Sequence, residues 1–364
     1  MAKIFIIFIS IFHGLIHLMG FAKAFKYAEI KELTLPISKP AGLVWLVSAL
    51  LFVVAAVLLW SNKEWWWMVA VVGIVLSQSL IVMYWRDAKF GTIANVIILL
   101  AVILAFGSWQ FHRTFKNDVK TGLARTAAIP STELTETDIQ HLPGMVQKYL
   151  RYVGVVNQKK VNHVFFSFKG QMRDVGKDWF DFDSEQYNFF DVPTRLFFMR
   201  AKIKGLPVTG LHAYRNGKAV MLIKLLALFP VVDIKGPVLD TAETVTVFND
   251  MCILAPATLI DKRIQWEPLD SLSVKATFTH NGIGIQAVIY FNEVGQLVNF
   301  VSDDRLYTAP DKTLKRFRWS TPMSQYKEIN GFKLPTYGEA IWHFPEGDFC
   351  YGKFFLQQIQ YNRP

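Results

Sequence analysis

One apolar segment, residues 90–111, constrains the fold of this 364-residue chain more than any other. It reads FGTIANVIILLAVILAFGSWQF and is followed by His112, Arg113, Lys116 and Lys120. At about 1.5 Å per residue, a helix of this length crosses a hydrocarbon core of about 30 Å. The chain before it is mostly apolar, whereas the chain after it alternates in polarity like a water-soluble domain. We therefore predict that this segment is the last membrane span.

Three further apolar runs precede this segment, so the sequence predicts four membrane-spanning helices. The predicted spans lie near residues 4–21, 41–60, 65–85 and 90–111. Trp65, Trp66 and Trp67 begin the third run and Trp85 ends it, as is typical of aromatic side chains at the two membrane interfaces. Short loops make neighbouring helices antiparallel. We predict a four-helix transmembrane domain over residues 1–113, with both of its ends on one side of the membrane.

The basic residues of the loops predict an orientation. The first and third loops carry six Lys or Arg residues, against two for the N-terminal end and the second loop. Because loops rich in Lys and Arg remain in the cytoplasm, we predict a multi-pass protein of the bacterial cytoplasmic (inner) membrane whose C-terminal domain is extracytoplasmic. Arg113 and Lys116, directly after the last span, favour the opposite orientation.

The positive net charge of the chain belongs mainly to the predicted membrane region. Residues 1–130 contain 12 of the 39 Lys and Arg residues and 5 of the 29 Asp and Glu residues, a balance of 12 − 5 = +7. Basic residues near helix ends are expected where loops meet anionic headgroups. The charge therefore indicates a lipid bilayer as partner, and we predict no nucleic-acid binding.

Residues 135–364 predict a soluble domain, which a linker at 114–134 joins to the last span. Apolar residues at three- and four-residue steps predict a helix near residues 138–153, capped by Gly154. From residue 161 the period changes to two, and turn signals such as Asn216-Gly217 separate many short strands. A second helix is predicted to begin at Asp240, with Glu243 at the capping-box spacing.

These elements give a fold class of α + β. An N-terminal four-helix transmembrane bundle is followed by a large curved antiparallel β-sheet domain with two or three packed helices.

Several segments of the sequence are distinctive as a set. They are HGLIHLMGFAKAF (13–25), WRDAKFGTIANVIIL (85–99), LPGMVQKYLRYVGVV (142–156), DWFDFDSEQY (178–187), IQWEPLD (264–270), VIYFNEVGQL (288–297) and IQYN (359–362). With them the chain resembles an uncharacterised bacterial family of multi-pass membrane proteins, a domain of unknown function. The resemblance implies a membrane bundle with a C-terminal β domain and no established activity. In layout, the β domain is also similar to lipoprotein-carrier-like half-barrels, which hold acyl chains between a curved sheet and helices.

Aromatic residues are dense, with 30 Phe, 12 Tyr and 11 Trp in the chain. Consecutive pairs such as Phe197 and Phe198 make both faces of several strands apolar. One face can pack on helices, and the other is either covered by more of the protein or binds something apolar. We predict a membrane-anchored binding protein whose β domain holds a lipid or other apolar molecule in a cavity. The residues predicted to lie near this cavity are Phe166, Phe168, Phe198 and Trp266.

Two polar groups are weak candidates for metal ligands. Asp181, Asp183 and Glu185 alternate along one strand. They either bind a hard cation together or form the solvent-exposed face of the strand. His13 and His17 share one face of the first helix, and they either hold a metal or haem or make hydrogen bonds between helices. We predict no cofactor, and a binding protein rather than an enzyme.

Two alternatives stay open. The first is an interaction or assembly module of an envelope complex, without a small ligand, and the second is a metal-dependent membrane enzyme that uses the three carboxylates. The chain has two cysteines, Cys252 and Cys350, which exclude a disulfide-dense scaffold. They either pair or remain free thiols, and we favour free thiols.

Overall fold

The computed structural model describes residues 2–308 and 313–363. The chain forms two compact units, Met1–Arg113 and Thr114–Pro364. The first unit is helical, and its helices are α1 (Ala2–Ala24), α2 (Lys39–Trp60), α3 (Trp66–Met83), the short α4 (Trp85–Ala88) and α5 (Gly91–Ala127), which continues into the second unit. Among the described residues, α1, α2, α3 and α5 are long and apolar enough to cross a membrane. The prediction of four long apolar helices is confirmed.

The sequence of the first unit explains how these helices start and pack. Ser38 caps α2, since its side chain accepts a hydrogen bond from the backbone N–H of Ala41, and Pro40 occupies the first turn. A Cβ at Gly20 of α1 would lie 2.3 Å from the ring of Trp45, so glycine at this position allows α1 and α2 to approach closely. Helix α5 runs on to Ala127, so the predicted linker at 114–134 is helical over residues 114–127, its first two thirds.

The second unit contains a few helices and many strands. Its helices are α6 (Glu136–Ile139), α7 (Gly144–Val153), α8 (Pro237–Leu254) and a 3₁₀ helix (Pro256–Ile260). Its strands are β1 (Glu133–Leu134), β2 (Gln158–Lys159), β3 (His163–Met172), β4 (Phe180–Phe189), β5 (Thr194–Ile203), β6 (Leu206–Arg215), β7 (Lys218–Leu225), β8 (Phe229–Lys235), β9 (Ile264–Pro268), β10 (Ser273–His280), β11 (Ile283–Phe291), β12 (Leu297–Ser302), β13 (Leu306–Thr308), β14 (Leu314–Arg316), β15 (Arg318–Ile329), β16 (Phe332–Phe344) and β17 (Gly347–Tyr361).

Thirteen of the strands in the described part of the chain form one sheet. Their order is β8-β7-β6-β5-β4-β3-β17-β16-β15-β12-β11-β10-β9, and neighbouring strands pair antiparallel. Strands β8 and β9 lie at the two edges, so the sheet is open. Strands from both halves contact α8, which means that the sheet wraps around this helix. The predicted fold class, helices followed by a large antiparallel sheet domain, is confirmed.

Local sequence signals set several boundaries of these elements. Asn216 and Gly217 both have positive φ, as a tight two-residue turn between β6 and β7 requires, which confirms the predicted hairpin. Gly154 ends α7 in the left-handed conformation with φ of 87°, also as predicted. The predicted capping box at Asp240 is wrong, because α8 begins one turn earlier at Pro237. The carboxylate of Asp240 instead accepts a hydrogen bond of 2.7 Å from the backbone N–H of Ala219.

The two faces of the sheet pack differently. On the inner face, which we define as the face toward α8, Phe248 of α8 lies 5.3 Å from Phe278 and 5.7 Å from Phe300 between ring centroids. On the outer face, Phe115 of α5 lies 5.3 Å from Phe198 of β5. The end of α5 therefore covers part of the outer face, while α8 fills part of the space inside the sheet.

Candidate functional site

A cavity of about 320 Å³ lies between α8 and the inner face of the sheet, within the range of about 300–1,000 Å³ that is typical of small-molecule sites. Residues of β3–β7, β15–β17 and α8 surround it. Much of its wall is apolar and includes Phe168, Met172, Phe197, Met199, Met221 and Phe354. Methionine side chains are flexible and polarisable, so such a wall adapts to apolar molecules of different shapes.

One side of the cavity carries a polar cluster that begins on α8. Glu243, Thr246 and Asp250 are spaced three and four residues apart, which places them on one face of the helix. Opposite them stand Arg195 of β5, His212 of β6 and Arg305, which follows β12. These six side chains are the cavity's polar cluster, and all of them line the cavity.

Arg195 is the centre of this polar cluster. Its Nη1 donates to Oε2 of Glu243 and its Nε donates to Oδ2 of Asp250, both over 3.0 Å. Its Nη2 donates to Oε1 of Gln186 over 3.1 Å. Asp250 also accepts from Nε2 of Gln186 and from Nδ2 of Asn188. Buried charges are tolerated when they are paired and hydrogen-bonded, and Arg195 has two carboxylate partners and donates three hydrogen bonds.

Arg305 is held differently. Its Nη1 donates to Oγ1 of Thr246 over 2.6 Å, and its guanidinium lies 4.6 Å from the ring centroid of Trp319. Its Nη2 is 4.0 Å from Oε1 of Glu243, too far for a hydrogen bond. Within the described residues Arg305 therefore makes one hydrogen bond, although a guanidinium has five N–H groups.

Burial sets the protonation of the cluster. Burial lowers the pKa of His212 to about 4, although Glu243 opposes this shift, so the imidazole is neutral at pH 7. Burial also raises the pKa of Asp250, with Arg195 acting in the opposite direction. For Glu243, burial on its own would raise the pKa, but His212, Arg195 and Arg305 together hold it below its usual value. At neutral pH Glu243 is a carboxylate between two arginines.

His212 adds an unsatisfied polar atom. Its Nδ1 lies 3.7 Å from Oε1 of Glu243, and its Nε2 is buried without a hydrogen-bond partner among the described residues. A buried polar atom of this kind costs free energy unless something satisfies it. His212 therefore lies at the same end of the cavity as Arg305, since both are within 4.0 Å of Oε1 of Glu243.

The four residues predicted to lie near an apolar cavity are placed differently. Phe168 lines the cavity. Phe166 is fully buried beside it, with ring centroids 5.5 Å apart. Phe198 lies on the outer face, because neighbouring side chains on a strand point to opposite faces. Trp266 belongs to the core beside Phe248, 6.4 Å away.

The weak metal candidates are held by other side chains. Asp181, Asp183 and Glu185 share the outer face of β4, where Glu185 pairs with Arg200 over 2.6 Å and Asp181 accepts from Gln171. Within residues 2–308 and 313–363, no group of three or more His, Cys, Asp or Glu residues is arranged to hold a metal ion.

The histidines of α1 take part in a buried network of hydrogen bonds between helices. Nε2 of His13 lies 3.0 Å from Oδ1 of Asn95, and Nε2 of His17 lies 2.9 Å from Oγ of Ser77. Cys252 and Cys350 are both free thiols.

Residues 132–354 match a family of unknown function, DUF6544. The chain belongs to this family. The DUF6544 segment contains every residue that lines the cavity and none of α1–α4. No curated protein matches the chain.

Two solved structures are similar to this DUF6544 protein. One is a LolA superfamily protein from Nitrosomonas europaea, with 7% sequence identity and a TM-score of 0.33 over 60% of this chain and 91% of that one. The other is a putative outer membrane lipoprotein-sorting protein domain from Vibrio parahaemolyticus, with 7% identity and a TM-score of 0.29 over 55% of this chain and 85% of that one. Both TM-scores are below 0.5, so neither likeness carries an argument about function.

The polar cluster of this DUF6544 protein was missed by the sequence analysis. Its members come from separate elements and match no motif. One signal was present, since Glu243 and Asp250 stand seven residues apart in α8, which places both carboxylates on one face of the helix. Such a pair indicates a polar stripe on a helix that the rest of the domain buries.

Proposed function

We propose that this protein is a membrane-anchored binding protein whose β domain holds a lipid or other apolar molecule. The observation that carries the proposal is the cavity of about 320 Å³ with its wall of Phe and Met side chains. Apolar space of this size inside a domain is stabilised when an apolar ligand replaces water there.

The energetics favour exchange over permanent binding. Burying a chain of about ten methylenes contributes roughly 8 kcal/mol, at about 0.8 kcal/mol each. Extracting the same chain from a bilayer costs a similar amount. Net binding would then be weak, as lipid handling or sensing in the envelope requires.

The membrane anchor is part of the same proposal. The four long apolar helices support a multi-pass transmembrane domain over residues 1–113, followed by a linker at 114–134 and a β domain over 135–364. We place this protein in a bacterial inner membrane, with the β domain outside the cytoplasm.

A substitution that fills the cavity tests the proposal. Gly210 of β6 lines the cavity, and a Cβ there would meet its nearest atoms, on Ile223 and Met199, at 3.7 Å. Gly210→Leu therefore places a side chain in the cavity at little steric cost. Gly284→Leu is the matched control, because Gly284 is an exposed glycine of β11 whose nearest contact is also at 3.7 Å.

The experiment uses the full chain in phosphatidylcholine nanodiscs. Two photoactivatable probes of equal chain length, a fatty acid and its alcohol, are crosslinked and the labelled peptides are mapped by mass spectrometry. We expect labelling of β5–β7 and α8 in the wild type and in Gly210→Leu a loss of at least about tenfold, with Gly284→Leu unchanged. Absence of label from these elements, or full labelling of Gly210→Leu, contradicts the proposal. If Gly210→Leu unfolds, Ile253→Trp takes its place, since Ile253 also lines the cavity.

A further inference from the structure

We infer that the cavity takes an amphipathic molecule whose polar end is an oxyanion, a carboxylate or a phosphate ester, and that Arg305 binds this end. The inference rests on the proposed function and adds the chemical class of the ligand. Three features of the polar cluster carry it.

The first feature is the difference between the two arginines. Arg195 donates to Glu243, Asp250 and Gln186 over 3.0–3.1 Å, so protein acceptors already use its donor edges. Arg305 donates to Thr246 alone among the described residues. In the described part of the chain its Nε and Nη2 donate no hydrogen bond, and these two donors form the fork that binds a carboxylate or phosphate through two parallel hydrogen bonds.

The second feature is that Arg305 is fixed in place before any ligand arrives. Its side chain is 16% exposed, its guanidinium stacks against Trp319, and Thr246 of α8 accepts its Nη1 hydrogen bond. A guanidinium held in this way loses little side-chain entropy when it binds an anion.

The third feature is the balance of charge, which favours an anion over a cation. Oε2 of Glu243 and Oδ2 of Asp250 each accept from Arg195 at 3.0 Å, whereas Arg305 is 4.0 Å from Glu243. A cationic head group at this end of the cavity would be repelled by the two guanidinium groups, of Arg195 and Arg305, that lie beside these carboxylates. An oxyanion would instead add a close negative charge beside Arg305. His212, in the tautomer that carries its proton on Nε2, can donate a further hydrogen bond, since this atom has no partner among the described residues.

The ligand would therefore bind in a single orientation. Its charged end would reach Arg305, and its chain would extend along the apolar wall that contains Met199 and Met221. A molecule without a polar end would forgo the charge-assisted hydrogen bonds that Arg305 can donate at this end of the cavity.

The two photoactivatable probes test this inference, because they differ in the head group alone. We expect the wild type to label with the acid at a concentration at least about tenfold lower than with the alcohol. Arg305→Gln should remove that preference, because acid labelling should then need the same concentration as alcohol labelling. Arg316→Gln is the control, since Arg316 is 65% exposed and lies outside the cavity lining. Unlabelled hexadecyl phosphate, as competitor, shows whether a phosphate ester is accepted as well as a carboxylate.

The outcomes separate the two proposals. Equal labelling by acid and alcohol, both blocked by Gly210→Leu, would overturn the oxyanion inference and leave the proposed function standing. An acid preference that survives in Arg305→Gln would also overturn it. Labelling by neither probe would contradict the proposed function itself. Folding of each variant is checked by its thermal unfolding curve, and Arg305→Lys, which keeps the charge but loses the fork, should retain an intermediate preference.

Discussion

Arg195 of β5 and Glu243 of α8 form an ion pair of 3.0 Å in which the carboxylate side chain is fully buried and the arginine side chain is 9% exposed. This pair joins the inner face of the sheet to the helix that the sheet surrounds. The same carboxylate lies between Arg195 and Arg305, hydrogen-bonded to the first and 4.0 Å from the second. The pair is therefore a structural support of the cavity as well as part of its lining.

Glu243→Gln should destabilise the second unit strongly, because it removes one of the two carboxylates that pair with the buried Arg195. Breaking a buried pair by removing one partner costs about 3–5 kcal/mol. The measurement is the free energy of unfolding in urea. Glu185→Gln is the control, since its pair with Arg200 is 34% and 44% exposed and such pairs contribute about 1 kcal/mol or less. Equal effects of the two substitutions would contradict this interpretation of Glu243.

The free energy of unfolding should decrease below pH 6.5 because the pKa of His212 is lowered in the folded protein. Burial lowers its pKa to about 4 in the folded protein, so between pH 6.5 and pH 4 the unfolded chain binds a proton that the folded chain does not. Stability is therefore full above pH 6.5 and declines as the pH falls, by roughly 2 kcal/mol between pH 7 and pH 5. In the variant His212→Gln, the free energy of unfolding should not show this part of the decrease between pH 7 and pH 5. The variant His141→Gln, at an exposed position, should keep it.

Gly170→Ala should disturb the middle of the sheet. A Cβ at Gly170 would lie 2.3 Å from the carbonyl oxygen of Lys353 and 2.5 Å from the ring of Phe182. The first of these is backbone of the neighbouring strand and cannot move aside, so we expect a loss of about 1–3 kcal/mol or more in unfolding free energy. Gly284→Ala, with its nearest contact at 3.7 Å, should change stability by about 0.5 kcal/mol or less. An unchanged free energy of unfolding in Gly170→Ala would contradict this close packing of β3 against β17.

Reporter fusions test the predicted orientation in the membrane. An alkaline phosphatase fused after Lys120 should be active, because the loop charges predict that the second unit lies outside the cytoplasm. The same enzyme fused after Lys31, in the first loop, should be inactive, while a fluorescent protein there should be bright. Reversal of both results would place the β domain in the cytoplasm.

Much of the fold follows from short-range sequence patterns. Apolar runs of about twenty residues predict the long helices, and two-residue alternation with turns such as Asn216-Gly217 predicts the strands. These signals depend on residues that are close together in the sequence. They therefore predict where each helix or strand lies, but not which other elements pack against it. The start of α8 was missed because Pro237 and Asp240 both fit a first helical turn, and the burial of Asp240 against Ala219 is a tertiary effect.

The candidate site was predicted less well, for a physical reason. Alternation shows that Phe197 and Phe198 point to opposite faces but not which face encloses a cavity. The structure places Phe197 in the cavity and Phe198 against α5. The charged residues come from β5, α8 and the segment after β12, and each looks like an ordinary surface residue until the domain is folded. No spacing rule joins Arg195, Glu243 and Arg305 before the fold is known.

The position of β17 has a consequence for the order in which the protein is made. This strand pairs with β3 on one side and β16 on the other, and Asn362 next to it accepts a hydrogen bond from Asn162, 200 residues earlier. During synthesis β3 must wait for that distant partner, and contacts of such long range close slowly. Until then β3 is an unpaired edge, which another chain could join. The strand that joins the two halves of the sheet is therefore synthesised after the strands that it connects to β3. The cavity between the two halves can form only once this strand is in place.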